Sequence, residues 1–224
     1  MAQNDIYIYG KHAVEEALAN APHAVEQIAF NPNKLPKEVA EANHQGFIAR
    51  VQVDKLVRPY REFMAEMEVG PDTAVAVLGE LQDPQNVGAI IRSAVALGIS
   101  AIFIPEHNQA PITGIVVKVS AGMAFRIPLV MVGNINNTLR DLKEKGFWVY
   151  GLDETATQLI TEEKFDAPTA FVLGNEGTGI REKTRELCDI LLSIPMSPKC
   201  ESLNAATSGA IAFYAWSAKH PPKK

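Results

Sequence analysis

Cysteine is scarce in this chain: 224 residues carry two, Cys188 and Cys200, with neither the spacing of a metal site nor the framework of a disulfide scaffold. Cys188 reads as core filling, and Cys200 is placed to line whatever site its loop serves. No neighbouring base marks either as a nucleophile. Long apolar runs are missing too. None reaches the roughly 18–20 residues that a membrane-spanning helix needs, and Met1 to Asp5 lacks the apolar block of a signal peptide. The expectation is a cytoplasmic protein with no membrane partner. Histidines 12, 23, 44, 107 and 220 form no His-Glu-x-x-His or other ligand pair, so no metal is expected. There is no Gly-x-x-x-x-Gly-Lys-[Ser/Thr] stretch, which excludes a P-loop nucleotidase. Positive charge is not in excess either. The net charge of −5 is the opposite of what a nucleic-acid binder usually carries. Arg50, Lys55, Arg58 and Arg61 do cluster, with Lys11, Arg92, Lys118 and Arg126 elsewhere, but spacing alone reads the 50–61 group as a solvated face.

What is present is an ordinary globular composition, 47% hydrophobic, with an α/β pattern. From Thr73 onward short apolar or β-branched runs alternate with helical ones, the mark of a mostly parallel sheet with helices on both faces. Strands are expected near 73–80, 101–104, 127–132, 147–151, 169–174 and 190–194. Helices are expected near 86–98, 135–145, 180–188 and 203–218. In the first of these, Val87, Ile90, Ile91, Ala94, Val95 and Leu97 make one buried stripe, and Gly98 stops the helix. Arg92 falls about 140° from the centre of that stripe, facing away from its own core. The last helix is rich in small residues, which allow close approach of another helix from within the chain or from a second subunit. Residues 1–68 read as a separate small α/β unit: strands at 6–9, 25–30 and 47–53, helices at 12–19 and 35–43. Glu68-Val69-Gly70-Pro71-Asp72 supplies the turn residues that place a domain boundary there.

Three stretches put polar groups and glycines at the end of apolar strands, where open α/β sheets build their sites. They are Asp83-Pro84-Gln85-Asn86-Val87-Gly88 running on to Arg92, then Leu173-Gly174-Asn175-Glu176-Gly177, then Ile194-Pro195-Met196 followed by Glu201-Ser202-Leu203-Asn204. Gly174 to Gly179 has the order Gly-x-x-Gly-x-Gly, the reverse of the dinucleotide fingerprint, and no acidic ribose clamp follows it. A nicotinamide enzyme is therefore disfavoured. Asn86, Glu176, Ser202 and Asn204, with glycines that expose backbone, suit hydrogen bonding to a purine and a ribose without a phosphate cradle.

With all three motifs in order, the chain resembles the SpoU-type branch of the SPOUT RNA ribose 2′-O-methyltransferases. The resemblance covers Thr73 to about Ser217. It extends more loosely to Tyr9-Gly10-Lys11-His12-Ala13-Val14 and His44 to Arg50, which look like a small RNA-recruiting domain, here shortened between Phe30 and His44. It implies a C-terminal trefoil knot, which periodicity alone would not suggest, S-adenosylmethionine as cofactor, and a homodimer in which Arg92 reaches toward the partner's cofactor. The domains would be 1–68 for recruiting RNA and 73–224 for methyl transfer. Matched position by position, Gly174, Ile194, Met196 and Leu203 would hold the cofactor, and Asn86, Arg92, Glu176, Ser202 and Asn204 would be catalytic. On residue type alone, Gly174 is equally a turn glycine, Ile194 and Leu203 core, Asn86 a helix N-cap and Glu176 a loop carboxylate in water. The implied reaction is methylation of a ribose 2′-hydroxyl in structured RNA, a guanosine of large-subunit rRNA foremost. The same reaction on tRNA, a catalytically silent RNA-binding or ribosome-assembly protein, and a nucleotide-binding enzyme with no RNA partner are the alternatives.

Overall fold

Alternation along the strands decides which helices lie on which face of a large parallel sheet. The computed structural model describes residues 5–28, 35–175 and 177–221. In chain order the elements are β1 (Asp5–Tyr9), α1 (Lys11–Asn20), a 3-10 turn (Pro22–Ala24), β2 (Val25–Gln27), α2 (Lys37–Ala40), β3 (Ile48–Gln52), α3 (Val53–Leu56) and α4 (Tyr60–Glu66). There follow β4 (Ala74–Leu78), α5 (Pro84–Ala96), β5 (Ala101–Pro105), α6 (Gly114–Val119), a second 3-10 turn (Met123–Phe125), β6 (Leu129–Val132) and α7 (Ile135–Glu144). The chain ends with β7 (Trp148–Leu152), β8 (Gln158–Leu159), β9 (Thr169–Leu173), α8 (Glu182–Arg185), β10 (Ile190–Ser193) and α9 (Ala205–Ser217).

The small sheet is antiparallel in the order β1-β3-β2. The large sheet runs β6-β5-β4-β9-β7-β10-β8, with every neighbouring pair parallel. Its strands are apolar on both faces, as a sheet covered on both sides requires. Ala74, Ala76, Leu78, Phe171 and Leu173 point to one face and pack with α5, α6 and α9. Val75, Val77, Ala170 and Val172 point to the other, where Phe63 and Met64 of α4 and Leu139 and Leu142 of α7 cover them.

Several elements differ from the sequence expectation. The sequence does not announce helix α6, because Ile115, Val116, Val117 and Val119 are β-branched and carry little helix preference; packing of α6 against α5 overrides that, and Thr113 Oγ1 accepts from Val116 N at 3.5 Å as its cap. The helices expected at 180–188 and 35–43 shrink to α8 and α2, and the strand expected at 25–30 runs to Gln27, with Ala29 and Phe30 outside the described residues.

Two members of the basic group at 50–61 are engaged by carboxylates rather than left to solvent alone. Arg50 pairs with Glu26 at 2.8 Å, and Arg58 pairs with Glu66 at 2.7 Å and lies over the Phe63 ring. The Arg58 amide donates to Leu129 O at 2.8 Å, so the chain between α3 and α4 lies along the outer side of β6.

The small sheet and α1 share an apolar cluster with α5 and α6 through Ile8, Val14 and Ala17. Two close contacts fix them there. A Cβ on Gly114 would stand 2.3 Å from Tyr7 O, and one on Gly122 would stand 2.8 Å from Glu16 Cβ. Glu16, 8% exposed, accepts from Arg126 Nε at 2.6 Å and from its Nη2 at 2.9 Å. The guanidinium bonds hold the Glu16 carboxyl below the usual carboxylate range.

Candidate active site

Strand order reverses between β4 and β9: β4 leads through α5 to β5 on one side, while β9, its other neighbour, arrives some ninety residues later. Such a reversal opens a crevice at the carboxyl ends of the strands. The first motif follows β4, the second follows β9 and the third follows β10, so all three stand at that end. Because β7 lies between β9 and β10, the loop after it, residues 153–157, sits between the second and third motifs. Nothing in its sequence announces this loop. Only strand order reveals it.

The first motif starts α5. Asp83 is the N-cap, its Oδ1 accepting from Gln85 N at 2.8 Å, and Pro84 takes the first helical position that suits it. The capping role open to Asn86 from sequence thus belongs to Asp83. Asn86 is buried at the third position of the helix, where its Oδ1 accepts from Asn204 Nδ2 at 2.8 Å. Asn204 in turn is the N-cap of α9, its Oδ1 accepting from Ala206 N at 2.9 Å and Thr207 N at 3.3 Å. The structure therefore joins the first and third motifs by a direct bond. Arg92 stands exposed further along α5, with no hydrogen bond or ion pair to these residues among those described.

In the second motif, a Cβ on Gly174 would lie 2.4 Å from the Gly179 carbonyl carbon, so the close turn requires glycine. Asn175 and Gly179 exchange backbone bonds at 2.9 Å, Asn175 Oδ1 accepts from Gly177 N at 2.9 Å, and Asn175 Nδ2 donates to Glu80 O at 2.8 Å. The last of these ties the second motif to the end of β4. Glu176 lies outside the described residues. In the third motif, Ile194, Met196 and Leu203 are partly exposed and Ser202 is exposed. Cys200 is exposed with Sγ 3.2 Å from Ser202 O.

Along the loop after β7, burial opposes ionisation of Asp153, but bonds from Thr155 and the charge of Arg185 at 2.9 Å outweigh it and keep the carboxyl low. Cys188 lies apart from the motifs, its thiol pushed up to about 12 by burial.

A family model for the SpoU rRNA methylases matches residues 73–214, the span that holds all three motifs. The chain belongs to the SpoU rRNA methylase family. Among curated SpoU relatives, the 23S rRNA (guanosine-2′-O-)-methyltransferase RlmB of Vibrio parahaemolyticus serotype O3:K6 is 40% identical over 175 residues, 77% of this chain and 70% of that protein. The protein of the same name from Shewanella oneidensis is 33% identical over 242 residues, 96% of this chain and 97% of its own length. The solved SpoU methyltransferase AviRb from Streptomyces viridochromogenes, in complex with AdoMet, superposes with a TM-score of 0.81 at 23% identity, covering 99% of this chain and 92% of its own. That likeness shows the shared fold.

On the α5 and α9 side of this SpoU sheet end, a shallow groove runs past Asn86, Ala89, Ser93, Asn204, Thr207 and Ala210. Ser93, next to Arg92, and Thr207 are polar members to which the motifs alone assign no role; Ser93 is partly exposed and Thr207 exposed, on helices whose buried stripes alone are legible in sequence. Among the described residues no cluster of His, Cys, Asp and Glu could hold a metal ion, and no helix is long and apolar enough to cross a membrane.

Proposed function

We propose that this protein transfers a methyl group from S-adenosylmethionine to the ribose 2′-hydroxyl of a guanosine in large-subunit rRNA. The observation that carries the reading is the meeting of three separated motifs at one sheet end, with Asn86 bonded to Asn204 across it. The rRNA guanosine named for the Vibrio and Shewanella relatives favours this substrate over tRNA. A silent relative would have no chemical reason to keep this polar set together.

S-adenosylmethionine carries no phosphate, so it needs an apolar slot with main-chain donors and acceptors rather than a basic cradle. The residues present fit: Ile194, Met196 and Leu203 offer partly exposed apolar surface after β10, and Gly174, itself partly exposed, stands at the end of β9 with no side chain to block it. These four would hold the cofactor. When bound, it supplies an electrophilic methyl on a good leaving group. What remains for the protein is to align two reactants, and positioning alone can be worth roughly 7–11 kcal/mol. Asn86 and Asn204 would fix the α5 and α9 starts that frame the acceptor, with Ser202 and Glu176 completing the polar set by their motif positions. Arg92 stays charged, since a guanidinium is effectively never neutral. It would grip the phosphate beside the acceptor ribose and stabilise the developing alkoxide, the proton passing to solvent or to another group.

The same reading includes a homodimer in which Arg92 serves the partner's site, supported by the small-residue face of α9 and by Tyr214, 66% exposed on it. It includes a knot, supported by the return of the chain from β10 across the sheet to α9, which packs on α5 and β9. Residues 1–68 would recruit RNA, residues 73–224 would carry out the transfer, and an rRNA substrate sets both in the cytoplasm.

The test is transfer of labelled methyl to total RNA from a strain lacking the gene, followed by mapping of the modified position. A 2′-O-methylguanosine in large-subunit rRNA is expected; no transfer, together with no cofactor binding at millimolar concentration, would overturn the reading. Arg92→Lys, with turnover and RNA affinity measured separately, tests the fork geometry. Near-normal turnover would remove any essential role for it.

A further inference from the structure

A second concavity opens at the same sheet end on the face away from α9. It is walled by the ends of β4, β5 and β9, the start of α7 and the turn that leads into α8. We propose that this cavity reads the guanine base of the acceptor nucleotide, with Glu80 as the specificity-determining residue. The proposal rests on the reading of the protein as an RNA guanosine 2′-O-methyltransferase.

Glu80 is placed with unusual care. It is one of the few non-glycine residues with positive φ, at 64°, a conformation that costs energy unless something fixes it. One bond from the second motif and one ion pair from the turn after it do so, beside a bond from Gln82 Nε2 to the same carbonyl at 3.2 Å. Its carbonyl accepts from Asn175 Nδ2 at 2.8 Å, and its carboxylate pairs with Arg181, just past the same turn. The Glu80 side chain is 18% exposed and that of Arg181 65%, so the carboxylate is held inside the cavity wall and the guanidinium rims it.

The chemistry of the lining selects among ligands. A carboxylate accepts only, through about four lone-pair sites, so the Arg181 bond leaves capacity for further donors. Guanine offers two adjacent donors, N1–H and the 2-amino group, whereas adenine presents an acceptor at N1 and no 2-amino group. Across the cavity Asn136 Oδ1 accepts from the Thr184 hydroxyl at 2.7 Å, which leaves the Asn136 amide as a donor for guanine O6. Ile135 and Ile180 supply apolar surface for the base faces. Gly174 borders this cavity and is also the glycine of the second motif, so a base seated here would have its ribose near the methyl-transfer end.

The test uses the full-length protein and short rRNA fragments carrying guanosine, inosine or adenosine at the mapped position. Inosine lacks only the 2-amino group. A site built to bond that group should favour guanosine over inosine by about tenfold or more in kcat/KM. Glu80→Gly removes the carboxylate and suits positive φ, so the fold is kept. For this variant guanosine and inosine should converge to within about twofold, with S-adenosylmethionine affinity unchanged. A variant that keeps the wild-type preference for guanosine overturns the proposal, and so does one that loses cofactor affinity, which would give the cavity to the cofactor instead. Failure of the wild type to methylate any RNA would instead fell the enzymatic reading beneath it.

Discussion

Asn204 does two jobs with one amide: its Oδ1 closes the first turn of α9 on Ala206 N and Thr207 N, and its Nδ2 donates to Asn86 Oδ1 at 2.8 Å. The two can be separated. Asn204→Ala loses both and should cost about 0.5–2 kcal/mol as a lost cap. Asn204→Asp keeps an N-cap oxygen but has no donor for Asn86, so its thermal stability should fall less while methyl transfer falls as far as in the alanine variant. Calorimetry beside a transfer assay checks this. Equal destabilisation by both variants would show that capping is not what Asn204 contributes.

Gly88 belongs to the first motif yet serves packing. A Cβ there would stand 2.7 Å from Val119 Cβ and 2.9 Å from Val116 O, and the carbonyl belongs to α6 backbone that cannot swing aside. Alanine gains about 1 kcal/mol of helix propensity, but overpacking costs about 1–3 kcal/mol. Gly88→Ala should therefore be neutral to destabilising despite the better helix former, which urea midpoints will report. A clear rise in midpoint would mean that α5 and α6 lie further apart than described.

Glu16 and Arg126 give the junction between the small sheet and the large one a defined acid response. The folded pKa of Glu16 is depressed by the guanidinium, so the contribution of the pair is fully present above the unfolded value of about 4.3 and is lost as pH falls through the folded value. The stability gap between wild type and Glu16→Gln should be constant above about pH 5 and close at lower pH. A gap that does not change between pH 3 and 7 would contradict the sign.

The two thiols should behave oppositely. Cys200 is exposed, while burial pushes the Cys188 thiol up to about 12, leaving almost no thiolate at pH 8. A thiol reagent should titrate one equivalent in the native protein and two after denaturation, and Cys200→Ser should abolish the native reaction. Rapid modification of both thiols in the folded state would argue against the packing of Cys188 beside β7.

The large sheet was legible because its strands are continuous apolar runs separated by well-capped helices, and the buried stripe of α5 fixed the outward direction of Arg92. Helix α6 was not, since four β-branched residues in six positions hide a helix that exists through contact with α5. The motif residues could be found by pattern, but the Asn86–Asn204 bond could not, because 118 residues separate the partners and only the return of α9 onto α5 brings them together. Glu80 is not legible in the sequence for a related reason. It carries no motif signature, and its unusual backbone angle is visible only in three dimensions.

The two margins of the large sheet are both blunt. On one side the Arg58 amide already occupies Leu129 O along β6, and on the other β8 is two residues long. A parallel sheet that left either rim open would invite strand addition from another chain. Both margins are therefore poor templates for a strand from a second copy, which leaves the helical faces as the better surface for pairing by way of the large unit.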